Sequence, residues 1–162
     1  MQGVEVMKID IPGGKSINIK NIVLDYNGTI ALDGKLLANV ESKIQHLSKE
    51  GIAVYILTAD THGTVQEQCR HLSATIKVFN KDNASVHKAN IVDELGGATC
   101  ISIGNGYNDG AMFEKSALGI IVLGQEGCST ESLMKAKILC RNIEDAFDMI
   151  IKKERIVATL RG

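Results

Sequence analysis

The sequence has no tryptophan, and aromatic residues make up only 4% of it. Stacking platforms for nucleic-acid bases are therefore scarce. Neither sign of charge dominates: 18 Lys and Arg stand against 19 Asp and Glu, a formal net charge of -1. Such a balance lacks the electrostatic footprint of a general nucleic-acid binder. Long apolar runs are missing too. Those at Ile52 to Leu57 and Leu118 to Leu123 fall far short of the roughly 20 residues that span a bilayer. No basic stretch leads into an apolar core at the start, so a signal peptide is not expected. Cys69, Cys100, Cys128 and Cys140 are widely spaced and form no C-x-x-C. That pattern argues against disulfides and a zinc site, and for reduced thiols packed in a cytoplasmic core.

What remains is the material of a globular domain. Of 162 residues, 44% are hydrophobic and 23% charged. This is enough to bury a core and excludes intrinsic disorder. The single proline lies in Pro12-Gly13-Gly14-Lys15, a turn signal. Val4, Val6, Ile9 and Ile11 precede it, and Ile17 and Ile19 follow, so an N-terminal β-hairpin is expected. The Gly-Gly-Lys-Ser run lacks the full spacing of a phosphate-binding loop.

Beyond the hairpin, strands and helices alternate. Asn21 to Asp25 reads as a buried strand ending on a carboxylate. Leu37, Val40, Ile44 and Leu47 have helical spacing up to Lys49, with Gly51 as the stop. Strands are expected at Ile52–Leu57, Thr75–Phe79, Thr99–Ile103, Gly119–Leu123 and Ile138–Cys140. Helices are expected at Thr61–Leu72, Val86–Leu95 with Ser85 as cap, Asn108–Lys115, Ser129–Lys135 and Ile143–Ile151. The tail, residues 152–162, carries Ile156-Val157-Ala158 and is expected to pack. This alternation predicts an α/β fold with a mostly parallel sheet and helices on both faces. Residues 1–162 are taken as one domain: a hairpin over 1–20, a core over 21–151 and the tail.

Folds of this kind place their sites at the carboxyl ends of strands. The first core strand ends in Asp25, and the second runs into Thr58, Ala59 and Asp60. Lys88 opens the helix after the third; Lys77 and Lys81 compete with it as ordinary surface lysines. The fourth strand runs into Gly104-Asn105-Gly106-Tyr107-Asn108-Asp109. A carboxylate, a hydroxyl, a cation and an amide–carboxylate pair on one edge suit phosphoryl transfer. A carboxylate attacking phosphorus faces a second anion, and Mg²⁺ with a neighbouring lysine offsets that repulsion. The turn at Gly28 allows close approach of backbone N–H groups to a phosphate.

These segments resemble the four motifs of the haloacid dehalogenase (HAD) superfamily. They are Asp25-Tyr26-Asn27-Gly28-Thr29, Leu57-Thr58-Ala59-Asp60, Lys88 and the Gly104 to Asp109 turn. They look most like the phosphorylation domain of P-type ATPases, whose motifs read D-K-T-G-T, T-G-D, a Lys and G-D-G-x-N-D. Small soluble P-type-ATPase-like proteins also carry D-Y-N-G-T and G-N-G, and the resemblance covers roughly residues 20 to 150. It implies a Rossmann-like HAD fold, with Asp25 as the nucleophile forming an aspartyl-phosphate. It implies phosphate binding by Asp25, Tyr26, Asn27, Thr58, Ala59 and Lys88. Mg²⁺ would be held by Asp25, the Asn27 carbonyl, Asn105 and Asp109, with the split between the last two open. Gly28, Thr29, Asp60 and Asn108 would support the site.

Two positions depart from the pattern. Most superfamily phosphatases have a second Asp where Asn27 stands, and it moves protons to and from the leaving group and water. Asn27 cannot, and such help is typically worth ~10²–10⁴ in rate. Slow turnover or a persistent phosphoenzyme is therefore expected. Asn105 stands where the family usually has Asp, which removes one negative charge. Only 28 residues separate Thr29 from Thr58, and the stretch from Thr58 to Lys88 is equally short, so no cap domain fits. Capless relatives act on large substrates, or form oligomers whose neighbours cover the site. The expected function is a slow, Mg²⁺-dependent phosphohydrolase acting on a phosphorylated substrate. The alternatives are a weakened phosphate- or partner-binding module and a subunit regulating a membrane transporter.

Overall fold

A computed structural model describes residues 6–162. Of the expected hairpin residues, Val4 lies outside them. The hairpin itself is present: β1 (Met7–Asp10) pairs antiparallel with β2 (Ser16–Ile19), and Gly13 has φ 78 in the turn. A left-handed residue at that point favours glycine.

The core is a six-stranded parallel sheet. Its strands are β3 (Asn21–Asp25), β6 (Ala53–Thr58), β7 (Thr75–Val78), β8 (Cys100–Gly104), β9 (Leu118–Val122) and β10 (Ile138–Cys140). Their spatial order is β10-β9-β8-β3-β6-β7. All five residues of β3 are buried, as expected for a central parallel strand. In register, Asp25 lies opposite Leu57 and Leu24 opposite Ile103. Thr58 and Gly104 therefore finish beside Asp25 at one edge of the sheet.

Helices cover both faces, as the alternation predicts. On one side are α1 (Val40–Lys49), α2 (Thr64–Cys69), α6 (Ile143–Ile151) and α7 (Glu154–Leu160). The apolar stripe of α1 is Val40, Ile44 and Leu47, all buried against Ile22, Leu24, Val54 and Ile56 in one cluster. Each such side chain contributes about 1.5–3 kcal/mol when fully buried. Helix α6 adds Ala146, Phe147 and Ile150, and the tail helix α7 adds Ile156. The other side holds α3 (Ala84–Leu95), α4 (Gly110–Lys115) and α5 (Thr130–Leu133), packed around Val23, Leu57, Val92, Met112 and Phe113.

Several boundaries move for identifiable reasons. Helix α1 starts at Val40, not Leu37, because Asn39 is left-handed (φ 68) and breaks the helix. Helix α2 spans Thr64–Cys69 rather than Thr61–Leu72, because Gly63 has φ 83 and the chain tightens after Cys69. Ser85 is not a cap: Asn83, also left-handed (φ 59), precedes Ala84, and no side chain caps the helix. Lys88 thus sits one turn inside α3. Residues Gly97–Thr99 and Tyr107–Asp109 are single 3₁₀ turns, so Thr99 is not strand and Asn108 is not α-helix. Strand β9 runs from Leu118 to Val122, one residue earlier than expected. The Ser129 hydroxyl accepts from Ser132 N (3.3 Å), and the Asn142 amide oxygen accepts from Asp145 N (2.8 Å), capping α5 and α6.

One element was not anticipated. Between β3 and α1, β4 (Ala31–Leu32) and β5 (Lys35–Leu36) form a small flap hairpin around Asp33-Gly34. Both turn residues have positive φ (50 and 79), the backbone that an Asp-Gly hairpin turn requires. The flap, α1, α2 and β7 fill the two inter-motif segments, so neither holds an inserted cap domain.

Candidate active site

Asp25 ends the central strand, and the next residue turns away from the sheet. Its carboxylate is held from two sides. Lys88 Nζ donates to Oδ1 at 2.7 Å, and the Thr29 hydroxyl donates to Oδ2 at 3.1 Å. Lys88 reaches it because the first turns of α3 face the cavity at the strand ends. Ala84 and Lys88, four residues apart, share the face that lines the cavity.

The same ammonium donates to Asp109 Oδ1 (2.8 Å) and Asn108 Oδ1 (2.8 Å). Three acceptors use the three N–H donors of a lysine. Lys88 and Asp109 are 3% and 0% exposed, so this is a buried charge cluster, not a surface ion pair. Burial alone would depress the Lys88 ammonium, but Asp109 and Asp25 overcome that and raise it. For Asp25, burial and the neighbouring Asp109 outweigh Lys88 and push its carboxyl up to about 7. Two carboxylates share one ammonium, and the second finds it already engaged.

Asp109 is fully committed. Its Oδ2 accepts from Asn105 N (3.0 Å) and Gly106 N (2.9 Å), while Oδ1 holds Lys88. Asn105 differs: its Oδ1 meets only the Thr29 hydroxyl, at 3.2 Å, and its Nδ2 donates to the Gly127 carbonyl at 3.1 Å. Asp25 Oδ2 and Asn105 Oδ1 thus gather at one hydroxyl group. This donor set is all oxygen and the cluster carries surplus negative charge, which suits a hard divalent cation. Of the two candidate ligands, Asn105 has the freer oxygen.

A cavity of about 240 Å³ opens beside this cluster. Asp25, Asn27, Thr58, Ala59, Phe79, Lys88 and Asn105 are among the residues lining it. Asn27 is exposed there, and Thr58 is buried. The Tyr26 ring turns away into the core, its hydroxyl lying 3.0 Å from the Gly34 carbonyl and 3.1 Å from Gln68 Oε1. Burial pushes that phenol up to about 12. Only the main chain of Tyr26 is left to face a phosphate. Asp60 stands outside the cluster as well. Its oxygens accept from Val65 N (2.8 Å) and His62 N (3.0 Å), and those amides hold its carboxyl below the usual range. It supports the site only through its own N–H, which donates to Thr58 Oγ1 at 3.0 Å. Lys77 and Lys81 do not enter the Asp25 cluster; Lys77 lies over the Tyr55 ring instead.

Residues that no motif marked complete the frame. Gln68 of α2 donates to the Gly34 carbonyl (2.8 Å) and accepts from Leu36 N (3.2 Å), tying down the flap. Ser132, buried on α5, lies 2.9 and 3.0 Å from the Gly106 and Tyr107 carbonyls. Phe79 walls the cavity and stacks on His87, with Lys88 Nζ 5.9 Å from its ring centroid. Their partners are remote in the chain, and only the Asp33-Gly34 pair carried a local signal. All four cysteines are free, and three are buried. No helix among the described residues is long and apolar enough to cross a membrane.

No family model matches the chain. Two proteins of Methanocaldococcus jannaschii are related in sequence. Uncharacterized protein MJ0073 is 38% identical over 61 residues, which are 38% of this chain and 66% of that protein. Uncharacterized protein MJ0072 is 52% identical over 40 residues, 25% of this chain and 89% of that protein. Solved structures share the fold at low identity. A protein from Legionella pneumophila assigned to subfamily III A of the HAD superfamily hydrolases has a TM-score of 0.70 at 16% identity, covering 88% of this chain and 87% of that one. The cobalt-bound deoxy-D-mannose-octulosonate 8-phosphate phosphatase of Haemophilus influenzae has a TM-score of 0.70 at 12% identity, covering 89% and 94%. The 3-deoxy-D-manno-octulosonate 8-phosphate phosphatase of Moraxella catarrhalis, in complex with magnesium, phosphate and a KDO molecule, has a TM-score of 0.65 at 20% identity, covering 88% and 94%.

Proposed function

We propose that this chain, which belongs to the family of the two Methanocaldococcus proteins and carries the HAD fold in capless form, is a phosphohydrolase acting through Asp25. The observation that carries this reading is the buried Lys88 ammonium joining Asp25 and Asp109 beside the Thr58 cavity. Phosphatases among the fold neighbours support it.

In the first step an Asp25 oxygen attacks phosphorus and the bond to the leaving oxygen breaks. Asn27 has no proton to give, so the leaving oxygen takes one from water. In the second step water attacks phosphorus, the acyl-phosphate P–O bond breaks, and phosphate leaves with the Asp25 carboxylate restored. Lys88 passes the donor it gives Asp25 to a phosphoryl oxygen, Thr58 holds another, and Asp109 keeps Lys88 in place. Mg²⁺, when bound, supplies positive charge against the two anions. Asp25, the Asn27 carbonyl and Asn105 would hold it, with Asp109 behind them. Without acid–base help at position 27, turnover is slow.

Hydrolysis of a generic aryl phosphate, with and without Mg²⁺ and with Asp25→Ala alongside, tests this reading. Metal-dependent activity that disappears in Asp25→Ala is the expected result. No activity above that background, across metals and at high enzyme, would sink the reading for such esters. It would favour a phosphate- or partner-binding module, which the amides at 27 and 105 already suit. The free thiols support a reducing, cytoplasmic setting. The open site supports a large substrate or a neighbouring copy as its roof. Light scattering on the eluting protein decides the latter: a strict monomer removes it.

A further inference from the structure

The Asn105 amide is used at both ends. Its nitrogen donates to the Gly127 carbonyl (3.1 Å), and its oxygen lies 3.2 Å from the Thr29 hydroxyl. The main chain of the same residue closes the frame: Asn105 N donates to Asp109 Oδ2, and Asn105 O accepts from Ser129 N at 2.8 Å. Gly127 has φ 74, and its N–H donates to Gly124 O at 3.0 Å, so residues 124–127 form a tight turn against the strand end. The Gly127 carbonyl can only accept, so it fixes which end of the amide carries the nitrogen and turns the oxygen towards Thr29 and Asp25.

We infer that Asn105 is not a weakened aspartate but a two-ended residue. Its nitrogen anchors the Gly124–Ser129 loop, its oxygen is presented to the site cation, and a carboxylate cannot replace it. An ionised carboxylate has no proton for Gly127. It would set oxygen against oxygen where the hydrogen bond now lies, and leave a carbonyl unpaired. It would also add a third anion to a cluster that Lys88 already shares between two. The extra charge that ordinarily favours a divalent ion is therefore offset by the loss of the loop that orients the ligand. The cation half of this inference rests on the phosphohydrolase reading; the loop half does not.

The test uses the full chain, stripped of metal and titrated with Mn²⁺, with free Mn²⁺ followed by electron paramagnetic resonance. Amide hydrogen exchange is followed at residues 124–129 in parallel. Asn105→Asp is expected to bind Mn²⁺ no more tightly than the unaltered protein, and its loop amides to exchange at least tenfold faster. Binding tightened tenfold or more, or unchanged loop exchange, overturns the inference. If Asn105→Asp does not fold, Asn105→Ala decides: faster loop exchange supports the anchor and unchanged exchange removes it. An unaltered protein that binds no Mn²⁺ overturns the cation half, and the exchange result then judges the anchor alone.

Discussion

The space between Gly28 and Asn105 is too small for a methyl group. A Cβ on Gly28 would lie 2.3 Å from Asn105 Nδ2 and 2.8 Å from its Cγ. Gly28 also has φ 78, a conformation that side chains disfavour. Gly28→Ala therefore strains the turn and displaces the amide together. We expect a loss of about 1–3 kcal/mol in stability and at least a tenfold fall in Mn²⁺ affinity. Urea unfolding and metal titration check both; an unaffected variant would contradict this packing.

The Asp25 carboxyl makes the metal-free protein sensitive to pH. Its pKa in the folded chain is raised from 3.8 to about 7 by burial and Asp109. Between those values the folded state binds more protons than the unfolded state. Stability is thus greatest below about pH 4 as far as this group is concerned, and falls as pH rises towards 7. The effect is on the order of a few kcal/mol. Asp25→Asn removes it, so that variant should be more stable than the parent at pH 8 with chelator present. Denaturant midpoints at pH 5 and pH 8 provide the comparison, and equal slopes with pH in the two proteins would refute it.

Helices α1 and α6 are joined by Lys43 and Asp148, 2.6 Å apart and half-buried. The hydrogen bond from Lys43 is the main reason that the Asp148 carboxyl lies below its ordinary value. This pair therefore stabilises the fold above the usual carboxylate range. The contribution is lost as pH falls through the depressed value. Asp148→Asn should cost about 0.5–1 kcal/mol at pH 7 and leave activity unchanged. A double-mutant cycle with Lys43→Met isolates the pair, and a coupling near zero would show it contributes nothing.

Gln68 holds the flap by its two contacts to Gly34 and Leu36 and lies beside the Tyr26 hydroxyl. Gln68→Leu leaves the Leu36 N–H without its side-chain partner and the Gly34 carbonyl with the Tyr26 hydroxyl alone. We expect a loss of about 1–3 kcal/mol and faster hydrogen exchange over residues 31–36. Tyr26→Phe should be milder, because Gln68 still donates to Gly34. If the two variants behave alike, the tie runs through the tyrosine rather than the glutamine.

Much of the fold was legible locally. The strand Asn21–Asp25 and the helix Ile143–Ile151 fall where the residue pattern puts them, because burial periodicity and turn residues act over a few positions. The flap carries a local signal in Asp33-Gly34, but its strands are two residues each, too short for an alternating pattern to mark them. Helix starts were not legible, since Asn39 and Asn83 look like any asparagine until the left-handed backbone is seen. The charged motifs could be assigned to one sheet edge from strand order alone, because parallel strands all end on the same side.

By itself, then, the sequence determined which residues reach the carboxyl edge of the sheet: Asp25, Thr58, Lys88, Asn105 and Asp109. Tertiary structure alone decided how they share one another. Asp25 and Lys88 are 63 residues apart and Tyr26 and Gln68 are 42 apart. Their contacts depend on the register of the strands and on the packing of α2 and α3 against the core. The same register commits both oxygens of Asp109 and leaves Asn105 with the freer one. Hydrogen bonds are directional and short, so a shift of one residue in β8 would send these side chains to the other face. No local pattern encodes that choice; the packed sheet makes it.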